Sequence, residues 1–174
     1  MLRKLQNPIT EEYKAFKDLV LSIYFPWMWF PNATPNLEVD DAYSKIGIYY
    51  HTFLYRPDGP DSPGYPVQQS AHLPSAAKIV TNILDSNGVQ LNCILRISAN
   101  CVHAGKEVVD SPPHYDHDFE HKNLIVYLND SDGDTFVEGE RSVFEEDKAV
   151  LFSGKHYHRT PTDGRRIVLV ATFI

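Results

Sequence analysis

Apolar side chains recur at helical spacing in two segments of the first ninety residues. The first segment follows Pro8 and has apolar residues at positions 13, 16, 19, 20 and 23, with two glutamates near its start. This spacing predicts an amphipathic helix to about Tyr24, and acidic residues in the first turn suit the helix dipole. Residues 73–84 repeat the spacing behind Pro74 and stop before Gly88, which predicts a second helix.

After Gly88 the pattern changes to short apolar or alternating runs separated by turn-forming residues. The runs cover residues 89–99, 124–128, 135–137, 149–152 and 167–174, and residues 46–55 form a similar run between the predicted helices. Short strands at this spacing are typical of a sandwich or jelly roll. Because the last run is apolar at both parities, we expect both of its faces to be covered, with the two helices as the natural cover.

Two segments lack a regular pattern. Residues 27–30 read Trp-Met-Trp-Phe, and we expect these side chains to pack in the core under a loop. Residues 56–65 are rich in proline and glycine, which predicts a loop or flap. We therefore expect one domain over residues 1–174, with helical support and a flap in residues 1–90 and a β core in residues 91–174.

Composition and charge limit the partners and the location that the sequence predicts. The formal net charge is -7, from 16 Lys and Arg against 23 Asp and Glu, which disfavours a nucleic-acid partner because phosphate backbones require a basic surface. The longest apolar run, residues 19–30, is interrupted by Ser22 and Pro26, so no membrane span is predicted. With two cysteines and no visible signal peptide, we expect a reducing, cytoplasmic location.

Histidines are concentrated in two places. His114 and Asp116 are two residues apart, so on an extended strand their side chains point to the same face. His156 and His158 follow some forty residues later, and one of them would complete a site of two histidines and one carboxylate. Such a site leaves about three positions of an octahedral iron(II) open. A lone His-x-Asp is common in surface loops, so the late histidines decide the hypothesis.

The order of motifs in residues 91–173 resembles the double-stranded β-helix core of the iron(II)/2-oxoglutarate-dependent oxygenases. The resemblance is to the small prolyl-hydroxylase-like and phage or bacterial members. The motifs that carry it are residues 96–100, the His114-Tyr115-Asp116 triplet, residues 126–129, the Gly133-Asp134-Thr135 turn, a late histidine, and an arginine ahead of the last strand. The implied fold is mainly β, with a jelly-roll or cupin-like core supported by N-terminal helices.

The resemblance implies a set of site residues. Iron(II) would be held by His114, Asp116 and His158, and Arg166 would pair with the distal carboxylate of 2-oxoglutarate, which a guanidinium grips bidentately. The remaining contacts to the cosubstrate implied by the resemblance are Tyr127, Asn100 and Arg96.

Two assignments stay open. His158 lies eight residues before Arg166 and His156 lies ten before it, against a family spacing of roughly ten. The position of Pro161 favours His158, with His156 as a neighbouring or substrate-contacting residue. Arg165 is the alternative to Arg166, which fits the start of the last strand better.

The activity implied is that of a dioxygenase that uses iron(II), 2-oxoglutarate and dioxygen, with ascorbate as a helpful reductant. Its substrate would be a prolyl residue in a protein or a small molecule. The alternative is a cupin-like metal-binding module or isomerase that does not use 2-oxoglutarate. The arginine distinguishes the two, because the alternative has no need of a carboxylate-binding guanidinium at that position.

Overall fold

The computed structural model describes residues 2–33, 42–56 and 65–174. Within these ranges the chain forms two helices and eleven strands. In chain order they are β1 (Leu2–Leu5), α1 (Glu11–Leu21), β2 (Met28–Phe30), β3 (Ile48–Tyr55), β4 (Val67–Gln68), α2 (Leu73–Ser86), β5 (Ile94–His103), β6 (Lys122–Tyr127), β7 (Thr135–Val137), β8 (Glu140–Ser142), β9 (Ala149–Phe152), β10 (His156–His158) and β11 (Arg165–Phe173). The predicted mainly β chain with two N-terminal helices is confirmed.

Both helices begin at the residues that the sequence indicates. Thr10 caps α1, because its hydroxyl accepts a hydrogen bond of 3.1 Å from the backbone N–H of Tyr13. α2 has Pro74 in its first turn and ends just before Gly88, whose positive φ of 62° continues the chain out of the helix. Neither helix is long and apolar enough to cross a membrane, as far as the described residues go.

The larger sheet has eight strands, ordered β1-β9-β6-β11-β5-β3-β2, with β4 paired to β3. All of its pairings are antiparallel. β11 lies in the middle and is buried on both faces after Arg165, as its two-parity apolar pattern predicts. On one face Ile167, Leu169 and Ala171 pack in a cluster with the helices. On the other face Val168 and Val170 pack towards the smaller sheet.

The smaller sheet has three antiparallel strands in the order β10-β7-β8. Its outer strand β10 is extended by a bridge in which His114 and His156 exchange backbone hydrogen bonds of 2.9 and 3.0 Å. The chain between β5 and β6 therefore reaches the edge of this sheet at His114. This bridge positions the residues described below.

Several sequence predictions differ from the structure. Residues 28–30 do not pack in the core: they form the edge strand β2, and the Trp29 side chain is 56% exposed, because β2 pairs with β3 alone. The core prediction was wrong there. The strand predicted at residues 89–99 lies at Ile94–His103. Residues 1–90 contribute four strands to the larger sheet, of which the sequence predicted β3 and not β1, β2 and β4. Of the predicted flap, residues 57–64 lie outside the described residues.

Candidate metal centre

A cavity of about 450 Å³ lies between the two sheets. Strands β5, β6 and β11 of the larger sheet line it from one side, and His156 and His158 of β10 line it from the other. Arg166 and Thr172 are six residues apart on β11, and Arg96 is the cross-strand partner of Thr172. At a rise of about 3.3 Å per residue, the Cα atoms of Arg166 and Arg96 are therefore roughly 20 Å apart along the strand direction. The cavity has an arginine towards each end.

Three imidazoles meet in this cavity. One ring nitrogen from each of His114, His156 and His158 lies within 4.8 Å of the other two. His156 and His158 are two residues apart on β10, so their side chains share a face. The rings of His114 and His156 are 4.5 Å apart, centre to centre, because the backbone bridge sets them side by side. No other group of three metal-binding side chains occurs among the described residues.

The hydrogen bonds of these rings indicate which nitrogens are available to a metal. Nδ1 of His114 lies 2.9 Å from the carbonyl of Pro112, and Nδ1 of His156 lies 3.4 Å from the carbonyl of Gly154. A carbonyl only accepts, so both Nδ1 atoms donate and both Nε2 atoms keep a free lone pair in the neutral ring. Nδ1 of His158 instead accepts from Nη2 of Arg166 at 3.4 Å, which leaves the proton on Nε2. This pattern favours His156 over His158 as the partner of His114.

Asp116 lies beside the imidazoles and joins them to Arg96. Its Oδ2 is 3.6 Å from Nε2 of His156, and its Oδ1 accepts a hydrogen bond of 2.5 Å from Nη2 of Arg96. Asp116 follows the His114 bridge in a bend rather than in a regular strand, which differs from the shared strand face that the sequence predicts. Burial alone would raise the pKa of this carboxyl, but Arg96 and the neighbouring imidazoles of His156 and His114 together outweigh burial and hold the pKa well below its ordinary value.

Burial keeps the late histidines neutral. It lowers the pKa of His156 from 6.5 to about 4, although the Asp116 carboxylate opposes the shift. Burial also lowers the pKa of His158 well below its ordinary value, and the neighbouring Arg166 adds to the effect. Metals bind neutral imidazole and ionised carboxylate, so this donor set is in the required state at neutral pH. Imidazole and carboxylate ligands together fit iron(II).

Arg166 is 3% exposed and has neutral partners. Its Nε donates to the carbonyl of Gly133 at 2.8 Å, and its Nη2 donates to the hydroxyl of Thr135 at 3.1 Å. The guanidinium also lies 5.6 Å from the ring centre of Phe144. No carboxylate of the described residues lies within 4 Å of it. Burial lowers the pKa of Arg166 against the weaker attraction of Tyr127, Tyr43 and Asp134. A guanidinium nevertheless stays charged, so the site holds a buried cation with no carboxylate in direct contact among the described residues.

Gly133 is required for this placement of Arg166. A Cβ at position 133 would lie 2.7 Å from Cδ of Arg166 and 2.9 Å from the carbonyl oxygen of Arg159. Both distances are shorter than a carbon atom tolerates, and the second involves rigid backbone. The glycine therefore lets the turn before β7 close over the arginine.

The other predicted site residues fall into two groups. Asn100 and Arg96 line the cavity from β5. Tyr127 does not: it is fully buried, its hydroxyl donates to Ser142 at 3.0 Å, and its ring stacks on Phe144 at 4.2 Å. Arg165 points to the surface, on the opposite face of β11 from Arg166.

Solved structures of known proteins share the fold of this chain. A 2OG-Fe(II) oxygenase family oxidoreductase from Burkholderia pseudomallei aligns with a TM-score of 0.65 at 15% identity, over 99% of this chain and 84% of that one. A prolyl hydroxylase from Trichoplax adhaerens, solved with a peptide fragment of hypoxia inducible factor, aligns with a TM-score of 0.62 at 14% identity, over 99% and 83%. The chain has the 2OG-Fe(II) oxygenase fold. This confirms the mainly β fold with supporting helices that the sequence resemblance implies.

A third structure with the oxygenase fold is a non-heme alpha ketoglutarate dependent epimerase from nogalamycin biosynthesis, with a TM-score of 0.57 at 13% identity over 99% of this chain and 77% of that one. By sequence, no protein-family model and no curated protein matches the chain. At these identities the similarity establishes the fold, and the chemistry has to be argued from the residues of this chain.

Sequence reasoning missed one residue of the cavity and undervalued another. Asn123 lines the cavity from β6, on the same face as Ile125. The alternation of residues 123, 125 and 127 was the available signal for it. His156 was ranked behind His158 on spacing, because sequence does not reveal which ring nitrogen is engaged.

Proposed function

We propose that this chain is an iron(II)- and 2-oxoglutarate-dependent dioxygenase, and that it hydroxylates a prolyl residue of a protein or a small molecule. The observation that carries the proposal is Arg166, a buried guanidinium with only neutral partners, in the same cavity as a group of metal-binding side chains.

A buried charge without a counterion is costly, and proteins retain one where a ligand supplies the opposite charge. Nη1 of Arg166 makes no hydrogen bond among the described residues, so its N–H groups are available to donate charge-assisted hydrogen bonds to a carboxylate. His158 stands between Arg166 and the other imidazoles, 3.4 Å from the guanidinium. A dicarboxylate with one end on Arg166 therefore directs its other end towards the metal donors, as 2-oxoglutarate requires.

We propose that His114, Asp116 and one late histidine hold the iron. The sequence favours His158 as the third ligand, whereas the engaged nitrogens favour His156, and both assignments remain predictions. When bound, iron together with 2-oxoglutarate and dioxygen supplies the oxidising power for hydroxylation. The side chains of this chain hold the donors neutral or ionised as needed, and the apolar walls formed by Ile125 and Val170 exclude water from the centre.

We also propose that the two sheets form a double-stranded β-helix within one domain. The middle of the larger sheet, β9-β6-β11-β5, faces β10-β7-β8 and the His114 bridge across the cavity. This pairing of four strands with a layer of three strands and one bridged segment supports the jelly-roll hypothesis.

Anaerobic titration tests the proposal. Iron(II) and 2-oxoglutarate are added without dioxygen, and a weak visible charge-transfer band is expected only when both are present. Asp116→Ala should remove the band and weaken metal binding. If no band forms, and Asp116→Ala binds metal as the wild type does, the proposal fails.

The third ligand is tested by two matched variants. His156→Ala and His158→Ala each remove one imidazole from the same strand face, and calorimetry with iron(II) or cobalt(II) measures the loss of metal affinity. If His156 is the ligand, its variant loses more affinity and His158→Ala mainly weakens 2-oxoglutarate. A larger loss of metal affinity in His158→Ala would show that His158 is the third ligand.

One observation favours a second candidate, a cupin-like metal-binding module or isomerase that does not use 2-oxoglutarate. The three imidazoles alone form a metal-binding group, without Asp116. Succinate released in an Arg166-dependent manner decides for the dioxygenase; a metal-loaded protein whose turnover ignores both 2-oxoglutarate and Arg166 decides for the module. Ascorbate should increase turnover only if the chain is the dioxygenase.

A further inference from the structure

The cavity contains a second polar group at the end away from Arg166. Arg96, Thr172 and Asn123 are cross-strand neighbours on β5, β11 and β6, so their side chains form one row on the cavity face of the sheet. Arg96 and Asn123 both line the cavity. This row is separate from the Arg166 site, because five residues of β11 lie between Arg166 and Thr172.

Asn123 is fully buried, yet neither atom of its side-chain amide has a hydrogen-bond partner among the described residues. The same holds for Nε of Arg96, whose Nη2 is engaged by Asp116. Each buried polar atom without a hydrogen-bond partner destabilises the folded state, so three such atoms in one row need a compensating role. A leucine of similar size at position 123 would avoid most of this cost. The row therefore has the properties of a binding site rather than of a core.

We propose that Asn123 and Nε of Arg96 bind an amide group of the primary substrate. The proposal rests on the dioxygenase function above and specifies which chemical group its substrate presents. Nδ2 of Asn123 and Nε of Arg96 are donors and suit the amide carbonyl, while Oδ1 of Asn123 is an acceptor and suits the amide N–H.

The charges in the row favour an amide over a carboxylate. The guanidinium of Arg96 is already paired with the carboxylate of Asp116, whose Oδ1 lies 2.5 Å from Nη2 of Arg96. A carboxylate would bring a second negative charge close to Asp116 and would leave Oδ1 of Asn123 facing another acceptor. The neighbouring walls, Ile125, Phe152 and Val170, are apolar and suit the carbon skeleton beside the amide.

The experiment uses the full chain loaded with zinc(II) and 2-oxoglutarate, which does not turn over, and follows the side-chain ¹⁵N–H₂ signal of Asn123 by NMR. The probes are N-methylacetamide, acetamide, methyl acetate and acetate. Both amides should shift the Asn123 signal in a saturable way, and methyl acetate, which has no N–H, should bind roughly tenfold more weakly. Preference for N-methylacetamide indicates a peptide bond as the source, and preference for acetamide indicates a primary carboxamide. Equal binding of ester and amide, tighter binding of acetate, or an unmoved Asn123 signal would overturn the proposal.

Asn123→Leu separates binding from folding. It should lose the amide preference while 2-oxoglutarate affinity and melting temperature stay level or rise, because an unpaired polar group has been removed. Ser98→Ala, which removes a polar group from the next row of the same wall, is the control and should keep the preference. A fall in the melting temperature of Asn123→Leu by more than about 3 °C would mean that the amide is bonded inside the protein, which overturns the proposal. Asn123→Ala serves if the leucine variant does not fold. Failure of the wild type to bind 2-oxoglutarate would instead count against the dioxygenase function.

Discussion

The two arginines of the cavity, Arg166 and Arg96, are the same residue in two different electrostatic settings. Arg166 is buried among neutral partners, the Gly133 carbonyl and the Thr135 hydroxyl. Arg96 is paired with the Asp116 carboxylate at 2.5 Å. A buried cation that contacts no carboxylate can bind an anionic ligand. A cation in an ion pair, such as Arg96, instead holds its carboxylate partner in position. The sequence predicted both as contacts to the cosubstrate, and their partners separate the two roles.

The largest effect is expected from Arg96→Met. It leaves the buried Asp116 carboxylate without its cation, which costs about 3–5 kcal/mol of the free energy of unfolding at neutral pH. The pKa of Asp116 should rise, since the strongest opposition to the effect of burial is lost with Arg96, so the loss of stability should shrink as the pH falls and the carboxyl takes up a proton. Urea unfolding at several pH values measures this.

Arg96→Met combined with Asp116→Asn is the control, since it removes both charges and should recover most of the stability. If the single variant is as stable as the wild type at pH 7, Arg96 is not the counterion of a buried charge. The contrast between a paired Arg96 and Arg166 would then be wrong for Arg96.

Arg166→Gln should leave stability level or higher while weakening 2-oxoglutarate by about 2–4 kcal/mol, which is roughly 30-fold or more. The reason is that the hydrogen-bond partners of Arg166 among the described residues are neutral, so no ion pair is lost. Calorimetry with 2-oxoglutarate on the zinc(II)-loaded protein measures the affinity. Arg165→Gln on the surface is the matched control and should bind normally. Equal losses in the two variants would remove Arg166 from the site.

Lower pH should destabilise the metal-free protein through its late histidines. The unfolded chain protonates His156 near pH 6.5, but the folded chain does so only near pH 4, because burial lowers that pKa. Between these values the unfolded state binds more protons, so the free energy of unfolding falls as the pH drops, by roughly 3 kcal/mol from His156. Urea unfolding of His156→Gln should show a shallower pH dependence between pH 6.5 and 4. An unchanged slope would show that His156 is not held neutral.

The smallest effect is expected from Gly133→Ala. The added methyl overlaps Cδ of Arg166 and the Arg159 carbonyl, so the arginine must move, at a cost of about 1–3 kcal/mol. The loss should appear both in the melting temperature and in 2-oxoglutarate affinity. Gly139→Ala, at a glycine of positive φ with open space around it, controls for backbone strain and should leave 2-oxoglutarate affinity unchanged. Normal affinity in Gly133→Ala would mean that the turn does not position Arg166.

Local patterns predicted much of the fold. The spacing in residues 13–23 and 73–84 indicated both helices, because an amphipathic helix shows its buried face in sequence. The two-parity apolar run of residues 167–174 indicated a central strand covered on both faces. The exposed edge strand β2 was not predictable, since aromatic residues occur both in cores and at sheet edges, and the partner strand decides between them.

The sequence by itself determined the inventory of the site: His114, Asp116, two late histidines and an arginine at the start of the last strand. The tertiary structure decided what each of them does. It engaged Nδ1 of His158 with Arg166, turned the Tyr127 hydroxyl to Ser142 and paired Arg96 with Asp116. It also left the Asn123 amide in the cavity wall without a hydrogen-bond partner among the described residues. The physical reason is that residue type and strand parity are local properties, whereas hydrogen-bond partners, burial and charge balance depend on segments far apart in the chain.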